Sequence, residues 1–166
     1  MSTTQQKAEP ILASKVDEAE QIVKGNVLWA MGAGFIPVPL FDLGGIAAVQ
    51  LKMLSELATL YGIKFSEHRT KSILAALIGS FGTASVAAPA VFSLVKIIPV
   101  IGQISGAVTL PIVAGASTYA VGKVFVQHFE SGGTFLDFDP AKTKAYFEEQ
   151  FKEGQKLASD IKQASK

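Results

Sequence analysis

The sequence predicts an all-α fold organised around a membrane-embedded helical hairpin, about 72–95 and 97–127, flanked by amphipathic helices. Three observations carry this expectation. From Ser72 to Phe129 the chain holds two charges, Lys96 and Lys123, and no carboxylate. The segments on either side repeat apolar residues at helical spacings. No alternating pattern long enough to mark a strand occurs.

Charge is distributed to match. Residues 1–71 carry seven basic and seven acidic side chains and residues 130–166 carry six and seven, which leaves the net charge at +1. No overall field therefore draws in nucleic acid, and basic residues do not cluster with aromatics. Cysteine is absent, which excludes disulfides, thiolate metal sites and cysteine nucleophiles. The length suits one domain, read as a flexible N-terminus over 1–10 and one helical membrane-associated domain over 11–163. The polar start lacks the pattern of a cleavable signal.

In chain order, Leu12, Val16, Ala19, Val23 and Val27 form an apolar stripe, predicting an amphipathic helix over about 11–28. Asn26 to Phe41 is free of charge but contains Gly32, Gly34, Pro37 and Pro39. The prolines disfavour helix at the residues before them and predict a break. This segment reads either as a re-entrant or interfacial element with Trp29 at headgroup level, or as a helix end and buried loop. Asp42 is placed to cap a second helix, with Ile46, Val49, Met53, Leu54, Leu57 and Leu60 on one face and Gly62 closing it. Ser66 is an N-cap candidate for a third helix, with Glu67 in its first turn. The water–membrane boundary falls where Lys71 gives way to Ile73. Beyond the hairpin, Ser131-Gly132-Gly133 reads as loop. Asp139-Pro140 marks a helix start, and the last helix collects Phe147, Phe151, Leu157 and Ile161 on one side.

The hairpin segments are each long enough to cross a hydrocarbon core of about 30 Å. Leu, Ile, Val and Phe in Ser72–Val95 supply about −3 to −6 kcal/mol toward insertion before penalties from Gly, Ser, Thr and Pro89. Such marginal spans lean on neighbours. Gly102, Gly106 and Gly115 are the helix-packing candidates, because small residues let backbones approach closely in lipid. Asp42, Lys96 and Lys123 are the polar candidates within the membrane, the two lysines placed to snorkel near span ends. Pro37 and Pro39 mark the re-entrant break. Lys64, Arg69, Lys71, Lys123, Lys142 and Lys144 flank the hairpin's open end, placing both termini in the cytoplasm by the positive-inside rule. The competing account hides the same apolar helices in a globule, wrapped by the amphipathic helices 11–28, 43–61 and 140–163.

The residues offer no reaction. Gly122-Lys123 is followed by Val124, where a phosphate-binding loop needs Ser or Thr. Pro37 stands where a dinucleotide fingerprint after Gly32-Ala33-Gly34 needs glycine. His68 and His128, with Glu67 and Glu130 nearby, lack metal-ligand spacing. No cofactor is expected.

Three stretches, Gly34-Phe35-Ile36-Pro37-Val38-Pro39-Leu40-Phe41-Asp42, Gln50-Leu51-Lys52-Met53 leading to Leu60-Tyr61-Gly62, and Ile98-Pro99-Val100-Ile101-Gly102, together resemble a known family. Their order is similar to that in the YcjF-like family of uncharacterised bacterial membrane-associated domains, some of which lie C-terminal to a GTPase domain. The resemblance covers roughly residues 25–130. It implies an α-helical domain at a bacterial cytoplasmic membrane with no established catalytic activity, so no catalytic residue is carried over. This chain has no nucleotide motif, so a GTPase partner would act in trans. The expected function is thus non-enzymatic: a lipid-bound, self-associating homo-oligomer serving as membrane scaffold, remodeller or pore component. The alternatives are a channel or transporter-like unit with Asp42 or Lys96 facing water, and a soluble amphitropic protein that inserts its hairpin.

Overall fold

The apolar stripes of the sequence find one another within a single chain. The computed structural model describes residues 2–33, 39–82 and 106–165, with side chains for 13–33, 44–78 and 111–165. Five helices are described: α1 (Ser2–Ala33), α2 (Pro39–Tyr61), α3 (Glu67–Gly82), α4 (Gly106–Glu130) and α5 (Pro140–Ala164). No strand occurs among the described residues.

α4 is the centre. Ala114, Ala116, Ser117, Thr118, Ala120, Val121, Val124, Phe125, Val126 and Phe129 are buried, and these positions take up most of the helix's circumference, leaving Tyr119, Lys123 and Gln127 on a partly open face. A helix covered on most sides is either a lipid span or the heart of a globule. Here α1, α2 and α5 supply the cover. They do so with Ala19, Val23 and Val27 from α1, Met53, Leu54 and Leu57 from α2, and Phe147, Phe151 and Ala158 from α5.

Contacts fix the directions. Asn26 meets Glu56 and Ala33 lies close to Gly45, so α1 and α2 are antiparallel. Gly115 lies against Met31 and Gly122 against Val23, so α1 and α4 are antiparallel too. Gln50 meets Ser117 and Tyr61 meets Glu130, making α2 and α4 parallel. Gly154 lies against Ala116 and Ala158 against Gly115, so α5 runs antiparallel to α4. α3 packs on α5 and touches α2, burying Thr70, Ile73, Leu74 and Leu77 while Ala75 and Ala76 stay exposed.

The helix ends follow local chemistry. Gly62 has φ 69°, with its N–H donating to Thr59 O and the Ile63 N–H to Ala58 O. This is a Schellman closure, which favours glycine because its left-handed residue meets no Cβ penalty. Gly132 closes α4 in the same way, with φ 84° and bonds from Gly132 and Gly133 to Phe129 and His128. The Asp139 carboxylate accepts from the Ala141 N–H at 3.0 Å, with Pro140 first in α5.

Several expectations need correction. The hairpin over 72–95 and 97–127 is not confirmed as two spans: residues 83–105 lie outside the described set, described α3 has one buried face, and α4 packs against α1, α2 and α5. No described helix is long and apolar enough to cross a membrane. The physical reason is that three amphipathic stripes in the same chain can cover α4 as lipid would. The proposed tip around Lys96 lies outside the described residues. Of the segment 26–41, residues 26–33 belong to α1 and 39–41 open α2, while the expected break at 34–38 lies outside the described residues. Val27, Ala30 and Met31 continue the buried stripe of α1, and Pro39 takes a first-turn position where proline costs no hydrogen bond. Asp42 falls in the first turn of α2. α1 runs from Ser2 through nearly all of the stretch read as a flexible terminus. Its polar Gln, Lys, Ala and Glu residues are good helix formers. Val16, assigned to the buried stripe, is exposed.

Candidate functional site

The seam between α4 and its cover holds the interior polar chemistry. Where α4 faces α1, the Lys123 ammonium donates to the Glu20 carboxylate, which also pairs with Lys24 at 3.5 Å. Lys123 Nζ stands 6.0 Å from the centre of the Tyr119 ring. The hydrogen bond from Lys123 holds Glu20 below the ordinary carboxylate range, against the opposing effect of burial. For Lys123, burial disfavours the charge, but Glu20 outweighs it and the pKa lies above the usual lysine value. The pair is part-buried, its side chains 21% and 29% exposed, and it ties α1 to α4.

Where α4 faces α2, the fully buried Gln50 amide donates to Ser117 Oγ at 3.1 Å and to Thr118 Oγ1 at 3.4 Å. Between α1 and α2, the buried Asn26 donates to Ile22 O at 2.9 Å and to Glu56 at 2.8 Å, and Glu56 pairs with Lys52 at 2.7 Å. Asn26 Oδ1, and Gln150 Oε1 on α5, are buried without a hydrogen-bond partner.

Glycines set how closely the helices approach. A Cβ on Gly122 would fall 2.7 and 2.8 Å from the Val23 methyls, and one on Gly115 would fall 2.8 Å from Met31 Cγ. Of the packing candidates, Gly115 thus abuts α1 and α5 within the chain, and Gly106 is the first residue of α4. Gly102, Lys96 and Pro37 lie outside the described residues. Pro39 opens α2, and the Asp42 side chain is outside the described set. Lys123 pairs with Glu20 on α1. His68 is exposed at the start of α3, while His128 Nε2 lies 2.9 Å from Thr134 O at the end of α4. Among the described residues no three His, Asp or Glu converge as a metal site.

Glu20, Gln50, Asn26 and Gly154 carry seam contacts that sequence reasoning did not single out. Gln50 gave the plainest signal, a polar side chain between Val49 and Met53 on an otherwise apolar face.

Among the described residues, the outer surface carries exposed apolar side chains that the seam does not use, Leu136 in the α4–α5 connection and a pair on α1. Leu28 and Trp29, adjacent on α1, are 54% and 71% exposed. They lie toward the end of the body that also holds the first turns of α2 and α4, since Met31 meets Gly115 and Ala33 lies close to Gly45.

The sequence profile of a domain of unknown function, DUF697, matches residues 2–156. The chain belongs to the DUF697 family. Magnetosome membrane protein 22 of Magnetospirillum gryphiswaldense is 41% identical over 144 residues, covering 87% of this chain and 74% of that protein. No solved structure matches. In this DUF697 chain the matched region takes in all of α1 to α4 and most of α5. Family membership therefore extends over the sheathed core as well as the three stretches that resembled YcjF-like domains.

The Glu20–Lys123 pair leads to a pH prediction. A carboxylate with a lowered folded pKa contributes stability above its ordinary value of 4.5 and loses that contribution as pH falls through the folded value. A lysine with a raised folded pKa contributes below its ordinary value of 10.5 and loses that contribution as pH rises through the folded value. Glu20→Gln should therefore flatten the fall in thermal midpoint on acidification below pH 4.5. Thermal melts of both proteins across that range, followed by circular dichroism, check this. Parallel curves would deny the pair its role.

Proposed function

We propose that this chain is a non-catalytic helical scaffold domain attached to a membrane, which keeps its most apolar described helix inside a protein sheath. The observation that carries the reading is the placement of α4. From Pro111 onward most of its apolar side chains pack against α1, α2 and α5 rather than facing outward. The exposed Leu28–Trp29 pair is then available for the bilayer. The relative named as a magnetosome membrane protein supports attachment. Gly115 is engaged within the chain, which removes it as a ground for self-association. The polar groups of the seam hold helices together and present no nucleophile beside a base, in keeping with a scaffold.

Fractionation tests this. The expressed chain should sediment with membranes, and the purified chain should float with phospholipid vesicles. Recovery wholly in the soluble fraction, with no flotation, would overturn the proposal.

A further inference from the structure

On α1 the buried and open faces separate cleanly after Lys24. Asn26, Val27, Ala30 and Met31 are buried, while Gly25, Leu28, Trp29 and Gly32 are exposed. Spacings of three, four and seven place these four exposed residues on one face of the helix. No charge occurs from Gly25 to Ala33. Nothing lies within 4 Å of a Cβ built at Gly25 or Gly32, so packing inside the chain requires neither glycine. The face is two bulky apolar side chains between two hollows.

By size, the order Gly25, Leu28, Trp29, Gly32 reads the same in both directions. A two-fold axis through the peptide joining Leu28 and Trp29 therefore brings the face onto itself, with α1 antiparallel to its copy. Leu28 then stands opposite Trp29, and Gly25 opposite Gly32, on both sides of the axis. Helix side chains lean toward the N-terminus, so Trp29 leans over the turn of Gly25. There the second copy presents its Gly32 and leaves room for the indole. A parallel pair would instead set Trp29 on Trp29 and glycine on glycine. Charge agrees with the antiparallel register. Lys24 falls opposite Ala33, and the two copies of Lys24 are about 14 Å apart along the helices, farther than exposed charges act at physiological salt.

Area sets the strength. Trp29 is 71% exposed, which for a side chain of about 250 Å² leaves about 180 Å² to cover. With Leu28 (54% exposed) and the same surfaces of a second copy, about 500 Å² of apolar side chain is available. The stems of Gln21 and Lys24 and the backbone bared at both glycines extend the contact toward about 1,200 Å², the lower bound for a specific interface. A contact of that size centred on tryptophan gives a reversible pair, with a Kd in the micromolar range.

We propose that this face of α1 is the contact between two copies of the chain, antiparallel and two-fold, with each Trp29 seated between Gly25 of its own helix and Gly32 of the other. Two copies joined in this way keep every other surface free for a membrane, so the contact does not rest on the reading above.

The chain has no cysteine, so single introduced thiols test the register. Gly25→Cys and Gly32→Cys, mixed and oxidised, should form a disulfide-linked pair, because the two positions stand opposite each other. Either variant alone should give about ten-fold less, its two thiols lying about 10 Å apart along the helices. Trp29 is the one tryptophan, so its fluorescence reports the face without a label. Between about 1 and 200 µM, sedimentation velocity should show monomer passing to dimer while the emission moves to the blue. Trp29→Ala should weaken the pair by about ten-fold or more. Gly32→Leu fills the hollow and should do the same. The open space at Gly32 lets that variant fold, which helical circular dichroism verifies. Leu136→Ala removes an apolar side chain from the α4–α5 connection and should leave association unchanged. Linkage from either thiol variant alone as readily as from the mixture would overturn the antiparallel register. A chain still monomeric at about 200 µM would overturn the contact. A blue shift that requires phosphatidylcholine–phosphatidylglycerol vesicles and ignores chain concentration would assign the face to lipid, overturning the contact and leaving membrane attachment intact. Failure of flotation alone would overturn attachment and leave the contact standing.

Discussion

Phe125→Ala should lower the stability of the purified chain by about 3–5 kcal/mol, one of the largest effects expected from a single side chain here. Phe125 is fully buried. Its ring lies 4.6 Å from Phe138, 5.4 Å from Phe135 and 5.6 Å from Phe129, centre to centre. Phe135 and Phe138 come from the connection between α4 and α5, so truncation opens a cavity where three parts of the chain meet. The surroundings cannot collapse into it cheaply, because Gly132 and Asp139 hold that connection at both ends. The result also bears on where α4 resides. Were α4 a lipid-facing span, Phe125 would look onto acyl chains, and its removal would cost the fold little. Urea unfolding in plain buffer, followed by helical circular dichroism, measures the loss. A change below about 1 kcal/mol would place Phe125 outside any protein core, because such truncations in cores cost several times more.

The parts of this fold that the sequence made legible are those governed by local chemistry. Gly62 and the Asp139-Pro140 pair end and start helices for reasons contained within a few residues, and the structure places both as read. The stripes Val23–Val27, Met53–Leu57 and Phe147–Phe151 likewise identify buried faces. What local chemistry could not decide was the surroundings of a helix apolar on every side. Lipid tails and apolar side chains satisfy such a helix equally well, and only the mutual fit of α1, α2 and α5 around α4 separates the two. The same limit hid the seam. Gln50 finds Ser117 and Thr118 across 67 and 68 residues of chain, and nothing near Glu20 announces Lys123. Pro39 has a local reading of its own: at the first turn of α2 it is tolerated because the N–H it lacks has no partner there.

Gly154→Leu should detach α5 from α4, and the smaller change Gly154→Ala gives the sharper test. Gly154 lies inside α5, where alanine in place of glycine ordinarily gains about 1 kcal/mol of helix propensity. Here an added Cβ would fall 2.9 Å from both Cα and the carbonyl oxygen of Ala116, and 3.0 Å from Tyr119 Cβ. Two of these atoms are backbone and cannot rotate away, so the helices must separate, and overpacking of this kind costs about 1–3 kcal/mol. The clash outweighs the propensity gain, and Gly154→Ala should be less stable than the parent. Leucine adds three more carbons with nowhere to go. It should expose the Phe147–Phe151 stripe along with the α4 surface beneath it, leaving a protein that binds hydrophobic dye and aggregates. Gly25→Ala supplies the contrast, since nothing lies within 4 Å of a Cβ there. That change should raise stability by about 0.5–1 kcal/mol. Urea titration of both alanine variants reads the signs directly. If Gly154→Ala proved as stable as Gly25→Ala, the close crossing of α4 and α5 could not be the contact that seats the last helix, and the sheath around α4 would lack one of its three walls.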